Sequence, residues 1–307
     1  MSAIMDHAPG PAITHNAPIR TWFGIGGGAD RFAKPRSVEE LMACLREDSN
    51  LRVLGDGANL LVDDAGVSEL VVELCEPAWS GIEIDASTGV VRAGAGTSLP
   101  RLIKRTIDAG LAGIEGLGGI PATLGGAIIM NAGGRFGQIG DAVRRVHALT
   151  RAGEQRTLDR DSIAFSYRHT GLNELIITEV ELALTPGDPK VLQARNAEVM
   201  AYKAGSQPLK ADSAGCVYKN PILPHALPEI GDAGARVSAG MLIDRAGCKG
   251  LSVGGATVSP HHANFVVTAK GCRAGDVLAL MERTTARVFD AFGVTLEPEI
   301  VIWRRTP

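Results

Sequence analysis

Of the five cysteines in the 307-residue chain, at positions 44, 75, 216, 248 and 272, no two form a CxxC pair or fall at the paired Cys/His spacing of a zinc site. Their odd number argues against a disulfide framework and reads as reduced, cytoplasmic thiols. Charge of one sign is also lacking. A formal net charge of -3 gives no global attraction for nucleic acid, so an anionic ligand has to be held locally. No continuous apolar stretch occurs in the first twenty residues, where Asp6, His7, His15 and three prolines stand, so neither a signal peptide nor a membrane span is expected there. Internal repeats, heptad runs and low-complexity tracts are missing too, which leaves solenoid and coiled-coil readings without support.

What is present is a globular balance of 45% hydrophobic and 21% charged residues, in a chain long enough for two or three packed units. The pattern is α+β. Residues 1–15 read as a loosely held arm. Ser37 with Glu40 forms a capping-box pattern ahead of Leu41, Met42 and Leu45, and predicts a helix. LRVLGDG, SELVVELC and GVVRAGAGT read as strands joined by glycine turns. A second helix is expected after Thr97 or Ser98, with Pro100 in its first turn, Leu102, Ile103 and Ile107 on one face and Gly110 at its end. Further on come a hairpin around Ala152 and Gly153, a long strand in ELIITEVELAL, and a helix from Pro189 to about Ala204 that places a domain boundary near residue 200. The last hundred residues predict a helix after Ser238, a strand at ANFVVT, a long helix from Asp276 to Phe292 closed by Gly293, and a terminal strand EIVIW.

Four glycine clusters compete for the role of a phosphate-binding loop: those at Gly24, Gly55 and Gly94, and the segment from Gly116 to Gly134. A Rossmann fingerprint needs a preceding strand, a helix opening from the loop, and an acidic residue about twenty positions on. None has that context. Gly24, Gly26 and Ala29 match the spacing, but Pro35 falls where a helix should continue. In the segment at Gly116, seven of nineteen residues are glycine and no charge occurs between Glu115 and Arg135. Such a backbone can approach a ligand closely and cradle a diphosphate on its N–H groups without a lysine. It can equally be a glycine-rich buried crossover, and composition does not choose between a flavin and another nucleotide.

The order of motifs resembles the UDP-N-acetylenolpyruvoylglucosamine reductase family, the MurB flavoenzymes. Seven stretches match in order across nearly the whole chain: RTWFGIGGGADRF, VLGDGANLLV, GIEGLGGIPATLGGAIIMNAG, FSYRHTGL, SAGCVYKNP, LIDRAGCKGLSVGGATVSPHHANFVV and LEPEIVIW. The resemblance implies an FAD-binding fold of the vanillyl-alcohol-oxidase type over residues 16–198, with subdomains of about 16–76 and 77–198, and a substrate-binding α+β domain over 199–307. It implies flavin contacts from Gly55, Asp56, Gly57, Ala58, Asn59 and Leu60 in one loop. In the other loop, Gly118, Gly119, Ile120, Pro121 and Thr123 are assigned the same role, followed by Gly125, Gly126, Ala127, Asn131, Ala132 and Gly133. No histidine or cysteine lies within GDGANLL or GIPATLGG, so the FAD is expected to be noncovalent. No insertion between Gly153 and Pro186 could carry a tyrosine-bearing substrate loop, so the chain resembles the shorter subtype.

In this family NADPH reduces FAD, hydride passes from flavin N5 to the β-carbon of an enolpyruvyl ether, and the α-carbon takes a proton. The resemblance implies Arg168, Cys216 and Glu299 as the catalytic set. Arg168 can grip the substrate carboxylate with two parallel hydrogen bonds and stays charged throughout, although an isolated arginine is ordinarily a surface residue. Glu299 would help polarise the carboxylate if burial keeps its proton; Glu297 shares its face in a strand and only the motif separates them. Cys216 replaces the family's usual serine. A free thiol, of pKa about 8.5, is a better proton donor than an alcohol, whereas a lone cysteine is otherwise a small buried apolar residue. Lys210, Lys219 and Asn220 supply donors for an anionic sugar nucleotide or NADPH phosphates, and Tyr167 could stack on a ligand. His261 and His262 invite a metal reading, but adjacent residues on an extended chain point oppositely and no further ligand recurs at useful spacing, so no metal is expected. The reading implied is a cytoplasmic, monomeric reductase with no nucleic-acid or membrane partner. An FAD oxidase of the same fold and a non-catalytic flavin- or sugar-nucleotide-binding protein are its rivals.

Overall fold

The structure, a computed structural model, describes residues 10–305. The chain forms two compact units. One takes in residues 10–17, Ala29–Asp56 and Ser68–Met200; the other takes in Pro18–Gly28, Gly57–Val67 and residues 201–305. Each has its own apolar core. Two short segments of the first seventy residues group with the C-terminal unit, a feature that the contiguous expectation of a boundary at 198/199 did not contain. The reason is strand pairing: Leu60–Val62 pairs in parallel with Val301–Trp303, a partner some 240 residues away that no local pattern reveals.

The first unit contains a four-stranded sheet in the order Ile13–Ala17, Ala29–Ala33, Val67–Glu73, Arg52–Leu54. Of the arm expected over 1–15, residues 1–9 lie outside the described residues, and Ile13–Ala17 is an edge strand paired antiparallel with Ala29–Ala33. Four of its five side chains are exposed, so backbone hydrogen bonds rather than apolar burial hold it, and no hydrophobic pattern announces it. Helix Val38–Glu47 starts at Ser37, whose hydroxyl accepts from Glu40 N. The box is only half made: the Glu40 carboxylate turns back one residue further, to Arg36 N at 2.8 Å. Leu41, Cys44 and Leu45 share the buried face, and complete burial of one leucine contributes about 2 kcal/mol.

A five-stranded antiparallel sheet follows, in the order Gln155–Asp159, Val143–Leu149, Ile176–Ala183, Val90–Gly94, Ile82–Asp85. Gly153, at φ 83°, closes the hairpin between the first two strands. Helix Leu99–Asp108 buries Leu99, Leu102, Ile103, Thr106 and Ile107. Neither expected cap acts as one. Ser98 makes no side-chain cap and the Thr97 hydroxyl bonds Gly81 O, while Leu99 N donates to Ala122 O at 2.9 Å, so a tertiary contact closes the helix entrance. The chain of this unit ends at Met200, within helix Pro189–Ser206.

The second unit packs helices Ala239–Arg245 and Ala274–Phe292 with a three-stranded antiparallel sheet, Ser252–Val253, Ala256–Val258 and Val266–Thr268. Ser238 caps the first helix by accepting from Met241 N. The long helix begins two residues before Asp276, because its first N–H groups are satisfied from elsewhere: Asp64 accepts from Ala274 N at 2.9 Å and Gly275 N at 3.1 Å. Gly293, at φ 64°, ends it. Among the described residues no helix is long and apolar enough to cross a membrane.

Candidate active site

The segment from Gly116 to Gly134 lies in the first unit and is more ordered than a glycine loop. It holds a 3-10 turn, Glu115–Leu117, then Gly119 at φ 71°, then a six-residue helix, Leu124–Ile129, capped by Thr123, whose hydroxyl accepts from Gly126 N. Its backbone is bound to the end of the strand Val90–Gly94 and the turn after it: Leu124 N donates to Thr97 O and Gly125 N to Ala95 O, both at 2.8 Å. The glycines have separable reasons. A Cβ at Gly116 would lie 2.3 Å from Phe136 O, and one at Gly118 2.4 Å from Asn196 Nδ2, so these two serve close packing within the chain. Gly126 is exposed, on the first turn of the short helix. A Cβ at Gly55 would stand 2.8 Å from Thr123 Oγ1, so the Gly55 loop runs directly against this cap.

These residues fit the flavin that the resemblance implies. Ile120, Ala122, Ile129 and Ala132 pack on the core and are partly exposed, leaving apolar surface of the kind a planar ring packs on. Pro121, Thr123 and Gly133 are half-buried and Ala127 is buried. With no charge over this stretch, the donors for a diphosphate would have to be backbone N–H groups other than those of Leu124, Gly125 and Gly126, which are bonded within the chain. Asn131, expected among the flavin contacts, has its side chain engaged within the protein. It is fully buried at φ 41°, and its side-chain amide is used inside the protein: Nδ2 donates to Gln138 Oε1 (3.0 Å) and Ser166 O (2.8 Å), and Oδ1 accepts from Gly140 N (3.1 Å).

Ser166 opens a tight hairpin that carries Tyr167 and Arg168 at its corner: Ser166 N donates to His169 O and His169 N to Ser166 O. Arg168 is at φ 54°, a left-handed conformation uncommon for a side chain with a Cβ and strained enough to point to function. Its guanidinium lies 5.1 Å from the centre of the Tyr167 ring, and Nη2 donates to Gly133 O at 2.9 Å. The hairpin is thereby tied to the last residues of the glycine-rich segment. A short path from Asp159 to Ile176 contains it, without room for an inserted loop.

In the second unit the loop continues from Gly57, at φ 65°, where a Cβ would meet Arg20 O at 2.2 Å. Asp56 is exposed, Ala58 and Asn59 are half-buried, and Leu60 begins the buried strand. Asn59 Nδ2 donates to Glu299 O (3.1 Å) and Val301 N to Asn59 O (2.9 Å), so this loop fixes the backbone at Glu299. Residues 216–219 are bonded on both flanks. Val217 N donates to Asn264 O and Lys219 N to Glu297 O, while Glu299 N donates to Val217 O at 2.7 Å. Asn264 also exchanges two side-chain bonds with the Tyr218 backbone. Cys216 lies at the start of this ladder, immediately after Gly215 at φ 78°, and is partly exposed.

Burial separates the two glutamates that periodicity cannot: Glu297 is 75% exposed and paired with Lys219 at 3.7 Å, whereas Glu299 is partly buried. Tyr218 is buried, donates to Met281 O at 2.7 Å, and has its hydroxyl pKa pushed up to about 12 by burial. Asn220 Oδ1 accepts from Ala239 N, the first helical N–H of Ala239–Arg245, and Lys210 is exposed in the turn after residue 206. His262 accepts from Asn264 N on Nδ1 and packs edge-on against Phe265 at 4.8 Å, while burial lowers its pKa. With His261, Asp244 and Lys249 it lines a polar cavity of about 320 Å³ that sequence reasoning did not identify, because its residues are scattered over 238–263.

Residues 29–159 match the FAD binding domain model, and residues 207–303 match the model of the UDP-N-acetylenolpyruvoylglucosamine reductase C-terminal domain. The UDP-N-acetylenolpyruvoylglucosamine reductase of Desulfosudis oleivorans is 40% identical over 92% of this chain and 91% of its own. The enzyme of the same name from Moorella thermoacetica is 38% identical over 95% and 93%. A crystal structure of UDP-N-acetylenolpyruvylglucosamine reductase (MurB) from Thermus caldophilus superposes with a TM-score of 0.77 at 40% identity, covering 92% of this chain and 95% of that one. The glycine-rich loop, the Arg168 hairpin and the Cys216–Glu299 ladder are thus set in a chain similar along nearly its whole length to these reductases: it belongs to the UDP-N-acetylenolpyruvoylglucosamine reductase family.

Proposed function

We propose that the protein catalyses NADPH-dependent reduction of UDP-N-acetylglucosamine enolpyruvate to UDP-N-acetylmuramate, acting as a cytoplasmic monomer with noncovalent FAD. The observation that supports this reading most directly is the Arg168 hairpin bonded to Gly133: it fixes a permanent cation at the end of the loop that fits the flavin. Gly118 to Ala127, with Ala132 and Gly133, hold the diphosphate and ring edge, and Gly55 to Leu60 keep the part that the resemblance gives them. FAD, when bound, supplies the hydride relay between NADPH and the enolpyruvyl β-carbon.

The chain's own residues handle charge and protons. An enol ether accepts hydride poorly until its carboxylate can take up the developing negative charge, and Arg168 stabilises that charge in the transition state more than in the ground state. Glu299, partly buried and with its backbone fixed by Val217 and Asn59, shares a proton with the same carboxylate. Cys216 then gives its Sγ proton to the α-carbon and is left as thiolate, to be reprotonated by solvent. Tyr167, Lys210, Lys219 and Asn220 contribute substrate contacts.

The test uses purified protein with its flavin spectrum recorded. NADPH oxidation that depends on the enolpyruvyl sugar nucleotide, one for one, is expected. Hydrogen peroxide release without that dependence would mean an oxidase, and a bound flavin that NADPH does not bleach would mean a binding protein.

A further inference from the structure

We infer that Asn131 is a positioning residue for Arg168, acting through the hairpin that carries it rather than on the cofactor; the inference rests on the role given to Arg168 above. The backbone conformation at Asn131 would by itself select glycine: φ is 41°, and glycine meets no Cβ penalty there. Asparagine tolerates this region better than most residues, and its side chain explains its presence. The amide is fully buried and makes three hydrogen bonds, two as donor and one as acceptor, with one bond going to the carbonyl of Ser166.

Ser166 is the first residue of the hairpin whose corner is Arg168. Two further bonds run between the same stretches: Thr170 Oγ1 donates to Ile129 O at 3.1 Å, and Arg168 Nη2 donates to Gly133 O at 2.9 Å. Residues 129, 131 and 133 are therefore bonded to 170, 166 and 168 respectively. At the middle bond the donor is a fully buried amide, so loss of the Ser166 carbonyl would leave a buried N–H short of an acceptor. The same amide holds Gly140 N and Gln138, and Arg160 Nε donates to Gly140 O (2.9 Å) while its guanidinium lies 4.6 Å from the Phe165 ring, one residue before the hairpin. Asn131 thus joins both supports of the Arg168 corner.

A guanidinium set on a strained two-residue corner has no helix or strand of its own to hold it, so loss of the Ser166 anchor should displace it by a fraction of an ångström to an ångström. Displacement on that scale slows a positioned reaction by roughly 10- to 100-fold. The test is a double-mutant cycle on the FAD-loaded enzyme with Asn131→Gly, which keeps the backbone conformation, and Arg168→Ala. Flavin reduction by NADPH and reoxidation by the enolpyruvyl sugar nucleotide are measured separately by stopped flow.

Asn131→Gly is expected to leave FAD affinity and flavin reduction within about twofold, slow reoxidation about 10- to 100-fold, and add less than about twofold in the Arg168→Ala background. Full reoxidation in Asn131→Gly, equal loss of both half-reactions, or effects that multiply with Arg168→Ala would each overturn the inference while leaving the role of Arg168 intact. Normal reoxidation in Arg168→Ala alone would remove that role and the inference with it. Should Asn131→Gly fail to fold, Asn131→Asp keeps the acceptor for Gly140 N but loses both donations, and the same cycle applies with the same outcomes.

Discussion

Replacing Arg168 by glycine and, separately, by alanine distinguishes what its side chain does from what its backbone endures. Both variants lose the same contacts, the 2.9 Å bond to Gly133 O and the approach to the Tyr167 ring. They differ in the backbone at φ 54°. A residue with a Cβ in the left-handed region is disfavoured by about 1–2 kcal/mol, which alanine retains and glycine relieves. Against this, glycine gives the unfolded chain extra freedom worth about 0.4–1 kcal/mol. The difference leaves Arg168→Gly more stable than Arg168→Ala by about 0.5–1 kcal/mol, or about 2 °C in Tm for a unit of this size. Thermal melts of the two FAD-loaded variants, read side by side, measure it, and stopped-flow reoxidation by substrate should be lost equally in both. An alanine variant melting at or above the glycine variant would refute the strain argument. Reoxidation at the parent rate in either variant would refute the function for which the strain is retained.

Cys216→Ala should leave flavin reduction by NADPH largely intact and cripple reoxidation, with Cys216→Ser milder; equal loss of both steps in stopped-flow traces would contradict the proton-donor role. The other thiols set the background for an alkylation experiment. Burial pushes the Cys44 and Cys272 pKa values to about 11 and raises those of Cys248 and Cys75; Cys44, Cys248 and Cys272 are buried whereas Cys75 is exposed and Cys216 partly exposed, so iodoacetamide near pH 8 should label Cys75 and Cys216 first, with substrate protecting only Cys216. Peptide mapping that finds Cys44 modified first would count against this. Gly57→Ala places a Cβ 2.2 Å from Arg20 O at a positive φ and should destabilise by about 2–3 kcal/mol, measurable as a lowered Tm; an unchanged melt would mean that the loop is laxer than described. Burial depresses the His262 pKa below its usual 6.5, so the folded state disfavours its protonation. Its contribution to stability is present above about pH 6.5 and is lost as the pH falls through the lowered folded value. His262→Gln should flatten the slope of Tm against pH below 6.5, and an unchanged slope would contradict that contribution.

Much of the helical framework was legible because it rests on apolar spacing: Leu102, Ile103 and Ile107 share the buried face of Leu99–Asp108, as their positions imply. The helix Leu124–Ile129 was not legible. Gly125 and Gly126 lower its propensity, and it persists through the Thr123 cap and the bonds from Leu124 and Gly125 to Thr97 and Ala95, which are tertiary. The glycine content of that segment was read as room for a ligand to approach; at Gly116 and Gly118 the approaching group is the chain itself. The exchange of segments between the units was hidden for a similar reason, since the pairing of Leu60–Val62 with Val301–Trp303 leaves no local mark.

Arg168 and Glu299 were reached through motifs, and the structure adds what a motif cannot contain: a left-handed backbone at one, and at the other a burial that Glu297 does not share. Asn131 ran the other way. Its position inside the glycine-rich segment suggested a ligand contact, and only the hydrogen bonds of its buried amide reveal that it faces the Arg168 hairpin.

Transfer of hydride from NADPH through bound FAD to an enolpyruvyl sugar nucleotide is read directly in the flavin absorbance of the purified holoenzyme under anaerobic conditions, first on adding NADPH and then on adding UDP-N-acetylglucosamine enolpyruvate. Bleaching is expected at the first addition and return of the yellow colour at the second, with one UDP-N-acetylmuramate formed per flavin reoxidised. A flavin that stays bleached until oxygen is admitted would rule that transfer out.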